Sequence, residues 1–100
     1  MRAIYKKPGK APEIIEIEND LSTLQKLVGG YIEVFPMASN ADIICNEEGK
    51  LRDLPYNITL LGEHFVGPIL VVGVSGEDFC DLENAEYLLD VLGMHPEAQP

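Results

Sequence analysis

The sequence predicts an α+β fold, with a single small mixed or antiparallel sheet of about five strands and two helices packed against it. Residues 69–74 form an apolar run without alternation, which is typical of a central strand covered on both faces. Residues 13–18 carry isoleucines among glutamates, as a strand with one solvated face does. Two other segments repeat apolar side chains at helical spacing.

The N-terminal segment is predicted to form a β-hairpin followed by a short helix. Residues 2–7 alternate in polarity and lead into a Lys-Pro-Gly-Lys turn at residues 7–10, in which proline presets φ and glycine accepts a positive φ. Asn19 or Asp20 is predicted to cap the helix, and the glycine pair at residues 29–30 to end it. Its apolar stripe consists of Leu21, Leu24, Leu27 and Val28.

Three further β-segments are predicted in the middle of the chain. They cover residues 31–35, 41–45 and 51–54. Pro36 either stops the first of them or marks it as an edge strand. Asn46 is predicted to start the next turn through its side chain, with Gly49 in the left-handed conformation. Residues 58–65 are compatible with a loop containing a helical turn or with an irregular strand.

The last predicted element is an acidic amphipathic helix that Asp81 caps and Gly93 ends. Its apolar side chains are Leu82, Ala85, Leu88, Leu89 and Leu92. Residues 94–100 are predicted to be a frayed tail. Because 100 residues are too few for two cores, we expect a single domain over residues 1–100 with a folded core at residues 1–93.

The composition indicates a cytoplasmic protein with reduced thiols. No apolar run approaches the length of a membrane span, and residues 1–4 lead into a patterned strand and not into a signal-peptide core. Cys45 and Cys80 lie 35 residues apart and lack the spacing of zinc ligands. We interpret both as structural thiols and predict neither a metal nor a cofactor.

The charge is strongly acidic and unevenly distributed. Seven Lys and Arg residues face 17 Asp and Glu residues, giving a net charge of -10. Four of the seven bases, at positions 2, 6, 7 and 10, lie in the first ten residues. An acidic surface repels nucleic acids and anionic membranes, so we predict neither as a partner and expect a basic protein surface instead. The alternative is that the acidity only maintains solubility.

An acidic segment near the C-terminus is the predicted partner-binding surface. Its carboxylates are Glu77, Asp78, Asp81, Glu83, Glu86 and Asp90. No Lys or Arg interrupts them, so the predicted helix presents a base-free face that could dock a basic partner. A solvated helix face with no partner is the alternative.

The predicted ligand-binding residues are Asn46, Arg52, Tyr56 and Asn57. Tyr56 and Asn57 follow a leucine and a proline in a loop, where the ring and the amide could stack on and hydrogen-bond a planar ligand. The alternative is a structural turn with Tyr56 packed on the sheet. A homodimer, with a ligand held between protomers, is left open.

Catalytic patterns are weak. Residues 73–76 resemble half of a nucleophile elbow, but Glu77 stands where the closing glycine is required. His64 and His95 are the only histidines, and neither lies in a catalytic motif. We therefore predict that the protein is not an enzyme.

Several segments together resemble the family called domain of unknown function 3846. They are residues 5–13, residues 24–34, residues 44–51, the element Leu54-Pro55-Tyr56-Asn57, and residues 67–79 with their apolar run and Glu77-Asp78-Phe79. The resemblance covers roughly residues 4–82. One departure is Ile58, since in the family a basic residue typically follows the position of Asn57.

The resemblance implies a setting and no chemistry, because the family occurs in phages, plasmids, conjugative elements and their bacterial hosts without an agreed activity. Together with the charge, it predicts a non-enzymatic accessory protein of a phage or mobile element that acts as an acidic modulator of a host protein. The alternative is a module that binds or sequesters a small nucleotide-like signal at the Tyr56–Asn57 loop.

Overall fold

Eight β-strands and two α-helices make up residues 1–91, the part of the chain that the computed structural model describes. They are β1 (Arg2–Lys6), β2 (Glu13–Glu16), α1 (Leu21–Val28), β3 (Ile32–Ala38), β4 (Ala41–Asn46), β5 (Tyr56–Leu60), β6 (Glu63–Val66), β7 (Ile69–Ser75), β8 (Asp78–Cys80) and α2 (Ala85–Val91). The predicted α+β class is confirmed. The predictions for Gly93 and the tail at residues 94–100 lie outside the described residues.

The main sheet has six strands, in the order β2-β1-β7-β4-β3 with β8 also paired to β7. Each of these pairings is antiparallel. β7 is the central strand, as the apolar run predicts, and its Ile69, Val71 and Val72 are fully buried. This sheet is larger than the five strands expected, because the three-residue strand β8 carries no sequence pattern of its own. The expectation of a single sheet is also wrong, since β5 and β6 form a second sheet of two strands.

Both faces of the main sheet are covered, which explains why β7 is apolar throughout. α1 covers one face, where Leu24 and Val28 contact Leu70 and Val72. The hairpin β5–β6 and α2 cover the other face, where Phe65 packs edge-on against Phe35 at 5.5 Å between ring centroids. Each fully buried aliphatic side chain contributes about 1.5–3 kcal/mol to folding.

The N-terminal hairpin and α1 form as predicted. The Lys10 N–H donates to the Lys7 carbonyl at 3.1 Å and closes the turn. Asp20 caps α1, since its carboxylate accepts from the Thr23 N–H at 2.7 Å, and this hydrogen bond lowers the pKa of Asp20. The Asn19 side chain instead donates to the Phe79 carbonyl at 2.8 Å.

Pro36 lies within β3, which forms an edge of the main sheet and continues to Ala38. The edge-strand alternative is therefore confirmed, and the register shift next to Pro36 shows where the pairing with β4 becomes irregular. No helix among residues 1–91 combines the length and the apolar composition that crossing a membrane requires.

Residues 49–65 differ most from the prediction. Residues 51–54 form turns instead of a strand, because the Leu54 N–H bonds back to the Gly49 carbonyl at 2.9 Å. Gly49 is not left-handed; a side chain there would meet Val66 at 2.9 Å. Residues 58–65 belong to the β5–β6 hairpin, whose tip has positive φ at Leu61 and Gly62.

α2 begins at Ala85, so the prediction of an Asp81 cap is wrong. Gly76, at φ 63°, reverses the chain, and β8 then pairs with the end of β7. The Asp81 carboxylate accepts the backbone N–H of Arg2 at 2.8 Å. Gly73 permits this path, because a side chain there would collide with the Asp81 carbonyl.

Candidate functional site

Asn46 and Arg52, two predicted ligand residues, lie together at the C-terminus of α1. The Arg52 Nη1 donates to the Gly29 carbonyl at 3.0 Å, and the Asn46 Nδ2 donates to the Val28 carbonyl at 3.2 Å. The Asn46 Oδ1 accepts the Glu48 N–H at 2.8 Å, which is the side-chain turn that the sequence predicts. Both side chains thus donate to carbonyls at the end of α1 that have no partner within the helix. They thereby hold the end of α1 against the β4–β5 connection.

Asn57, the third predicted ligand residue, is buried between β5 and the main sheet. Its Nδ2 donates to the carbonyls of Lys6 and Gly67 at 2.8 and 2.7 Å, and its Oδ1 accepts from the Lys6 Nζ at 2.9 Å. Lys6 is only 1% exposed, and burial lowers the pKa of its ammonium group. Both amide hydrogens of Asn57 are therefore used in joining the β5–β6 hairpin to β1 and to Gly67.

Tyr56 lies on the outer face of the β5–β6 hairpin and is 46% exposed, so the alternative of a structural turn with Tyr56 packed on the sheet does not hold. Its hydroxyl is 2.7 Å from the Thr59 Oγ1, which is itself 2.7 Å from the His64 Nδ1. The Tyr56 and His64 rings lie 6.2 Å apart in an edge arrangement. The described hydrogen bonds of Tyr56 therefore involve other groups than those of Asn46 and Arg52.

A cavity of about 260 Å³ lies between β3, β4 and β6. Asn46 lines it, whereas Arg52, Tyr56 and Asn57 are not among its described lining residues. Burial, together with the carboxylates of Glu33 and Glu63, raises the pKa of the Cys45 thiol in this cavity to about 11. Because the thiolate is the nucleophile and the metal ligand, the protonated Cys45 is suited to neither role.

The six predicted partner-binding acids are all exposed, but they do not form one helix face. The turn before β8 carries Glu77, β8 carries Asp78, the segment before α2 carries Asp81 and Glu83, and α2 carries Glu86 and Asp90. The expected single face is wrong because strand pairing of residues 78–80 with β7 takes precedence over the helical pattern.

A groove of about 580 Å³ opens beside two of these acids, between the β3–β4 turn, the end of β7 and α2. Its apolar lining residues are Met37, Ala38, Ala41, Val74, Leu82 and Leu88. Its polar lining residues are Asn40, Ser75, Cys80, Asp81, Glu83, Asn84 and Tyr87. No Lys or Arg occurs among these described lining residues, so the groove is acidic.

The polar side chains of this groove are largely unused within residues 1–91. Asp81 accepts one backbone hydrogen bond, whereas the side chains of Glu83, Asn84 and Tyr87 make none in the described part of the chain. Tyr87 is 66% exposed. Donors and acceptors beside an apolar wall are therefore free to meet a bound molecule.

The sequence indicated Asp81 and Glu83 as acids but not the groove that they line. Asn40, Ser75 and Tyr87 come from three separate elements, and only the pairing of β4 with β7 and the path of β8 bring them together. The one signal in the sequence was Asn40, because asparagine is common in the turn that connects the two strands of a hairpin.

Cys45 and Cys80 are both free cysteines, and Cys80 is half-buried in the groove. Within residues 1–91, no three His, Cys, Asp or Glu side chains are arranged to hold a metal ion.

Comparison with known proteins assigns the chain to a family. A family model described as "Domain of unknown function (DUF3846)" matches residues 1–93. No curated protein and no solved structure matches the chain. The match spans nearly the whole chain and includes the segments whose residues resemble that family. The chain therefore belongs to the DUF3846 family of unknown function.

Proposed function

We propose that this protein is a non-enzymatic accessory protein of a phage or mobile genetic element, and that it binds a basic surface of a host protein as an acidic modulator. The mobile-element setting is the one that the family resemblance implies. The binding role is supported by the charges of the segment from residue 77 to residue 90, which carries six exposed carboxylates and no base.

The observation that carries this proposal is that three of these six carboxylates have no described internal partner. Glu77, Glu83 and Glu86 make no hydrogen bond or ion pair within residues 1–91. In contrast, Glu16 lies 3.6 Å from the Arg2 side chain, and Glu63 lies 3.2 Å from the Lys50 ammonium. An unpaired acidic surface attracts a basic partner and accelerates its association.

Three of the seven bases lie close to other groups of the chain. Lys6 is buried against Asn57, so it contributes no surface charge next to the other N-terminal bases. Arg2 faces Glu16, and Lys50 faces Glu63. The described ion pairs of Arg2 and Lys50 are therefore with glutamates outside the acidic segment at residues 77–90.

Small-ligand capture at the Tyr56–Asn57 loop has less support. The Asn57 amide already donates to the carbonyls of Lys6 and Gly67, and the Tyr56 hydroxyl is hydrogen-bonded to the Thr59 hydroxyl. Capture there would require an amide that the fold already uses, so we give this function second place.

A retention experiment with host lysate tests the proposal. One triple variant carries Glu77→Gln, Glu83→Gln and Glu86→Gln; its control carries Glu13→Gln, Glu18→Gln and Glu33→Gln, which remove the same charge from other exposed positions. We expect wild type and control to retain a basic protein in a salt-sensitive manner, and the first variant to lose it. Equal retention by both variants, or retention of acidic proteins only, would overturn the proposal.

A further inference from the structure

We propose that the groove between the β3–β4 turn and α2 is a peptide-binding site, and that it takes a segment of the partner in which an aliphatic side chain neighbours a lysine or arginine. This inference rests on the proposed function for the basic character of the partner. The inference specifies where the partner binds and which sequence it prefers, whereas the proposed function specifies only attraction between an acidic and a basic surface.

The apolar wall of the groove selects the aliphatic side chain. Ala41, Leu82 and Leu88 line it and belong to the core layer beneath the β5–β6 hairpin or pack against that layer. The volume of about 580 Å³ lies within the range of about 300–1,000 Å³ of sites that enclose small molecules. It therefore accommodates a few side chains of a peptide and not a folded domain.

The polar lining selects the neighbouring base. Asp81 and Glu83 supply carboxylates at one wall, and no described lining residue supplies a positive charge that would neutralise them. Asn40 and Asn84 offer amides that can bond a peptide backbone. The two carboxylates would repel an acidic ligand, so a cationic segment is the matching occupant.

A second copy of this chain fits the groove poorly. Each copy carries a net charge of -10, and the two bases with described ion pairs, Arg2 and Lys50, face glutamates of their own chain. A partner with its own basic segment satisfies the groove better than self-association does.

Selection of binders from a random peptide library tests the inference. We expect enrichment of peptides in which Leu, Ile or Val neighbours Lys or Arg. The tightest enriched peptide is then titrated against three variants. Glu83→Gln removes a lining carboxylate, Glu86→Gln removes an exposed carboxylate outside the groove, and Ala38→Trp fills the groove without altering charge.

We expect Glu83→Gln and Ala38→Trp to weaken binding about tenfold or more, as loss of a charged hydrogen bond or of the cavity does, and Glu86→Gln to weaken it less than about threefold. Circular dichroism checks that Ala38→Trp is folded, and Tyr87→Ala, at an exposed lining residue, replaces it if it is not.

The outcomes separate this inference from the proposed function. If basic peptides are enriched but Glu83→Gln and Glu86→Gln weaken binding equally while Ala38→Trp has no effect, surface attraction remains and the groove site is wrong. If no basic peptide is enriched, the groove inference fails, whereas the proposed function fails only if the retention experiment with host lysate also finds no basic protein. A concentration-dependent dimer that Ala38→Trp abolishes would assign the groove to a second copy and overturn the inference.

Discussion

The turn region at residues 46–57 and the segment at residues 77–90 are both rich in polar side chains, and the structure uses them in opposite ways. In the first region, Asn46, Arg52 and Asn57 bond backbone carbonyls and hold α1 and β5 in place. In the second, Glu83 and Tyr87 border a groove and make no hydrogen bond within the described chain. Polar residues in a loop therefore indicate a binding site only where the fold leaves them unused.

The largest difference between the two regions should appear in stability when Asn57 is replaced. Asn57→Ala removes the acceptor of the buried Lys6 ammonium and leaves the Lys6 and Gly67 carbonyls without their donor. We expect the free energy of unfolding to fall by about 3–5 kcal/mol, as it does when a buried charge loses its partner. Urea denaturation measures this; a loss under about 1 kcal/mol would show that the contact is not structural.

A smaller loss is expected at the end of α1. Asn46→Ala leaves the Val28 carbonyl and the Glu48 N–H without their side-chain partner, and should cost about 1–3 kcal/mol. The control Glu47→Ala alters the neighbouring exposed residue, whose side chain makes no described bond, and should leave the urea midpoint nearly unchanged. Equal effects of both variants would argue against the role of Asn46 at the helix end.

The buried Lys6 should make stability depend on pH. Burial lowers its pKa in the folded state below 10.5, so in the interval up to 10.5 the unfolded chain binds a proton that the folded chain releases. The stability of wild type relative to Lys6→Met should therefore rise as the pH increases from neutral towards 10.5. Urea titrations in which the stability difference between wild type and Lys6→Met falls or stays constant over this range would contradict the lowered pKa of the buried Lys6 ammonium.

The smallest expected effect concerns the rates at which the two thiols are chemically labelled. Cys80 lines the open groove, whereas Cys45 is buried and its pKa is raised to about 11. At neutral pH we expect iodoacetamide to modify Cys80 first, and Cys45 only after unfolding. Ala38→Trp should slow the labelling of Cys80 by filling the groove; mass spectrometry that finds Cys45 modified first in the folded protein would contradict the difference.

Sequence patterns predicted the elements that are uniform or locally determined. The apolar run of β7 and the Asp20 cap of α1 are found as expected. A strand buried on both faces requires apolar residues throughout, and a helix cap requires a short polar side chain, so the residue types alone indicate both features. For residues 58–65 the sequence left a loop and an irregular strand open and did not predict the β5–β6 hairpin, because Leu61 holds a positive φ that leucine seldom adopts, so no turn signal precedes Gly62.

The candidate site was less predictable because tertiary contacts decide the use of each polar group. The bond from the Arg2 N–H to Asp81 spans most of the chain and displaces the expected helix cap. The contact of Lys6 with Asn57 likewise joins residues far apart in sequence, and it turns a loop asparagine into a core residue. Neither contact has a local pattern.

The most direct test of this contrast uses isothermal titration calorimetry. It compares the affinity of one peptide from the library selection for the variants Glu83→Gln and Tyr56→Phe. Tyr56→Phe removes only the hydroxyl that bonds Thr59, on the hairpin face, and Glu83→Gln removes only a groove carboxylate. We expect Glu83→Gln to weaken binding about tenfold and Tyr56→Phe to leave it unchanged. Loss of binding with Tyr56→Phe and retention with Glu83→Gln would contradict the assignment of binding to the acidic groove.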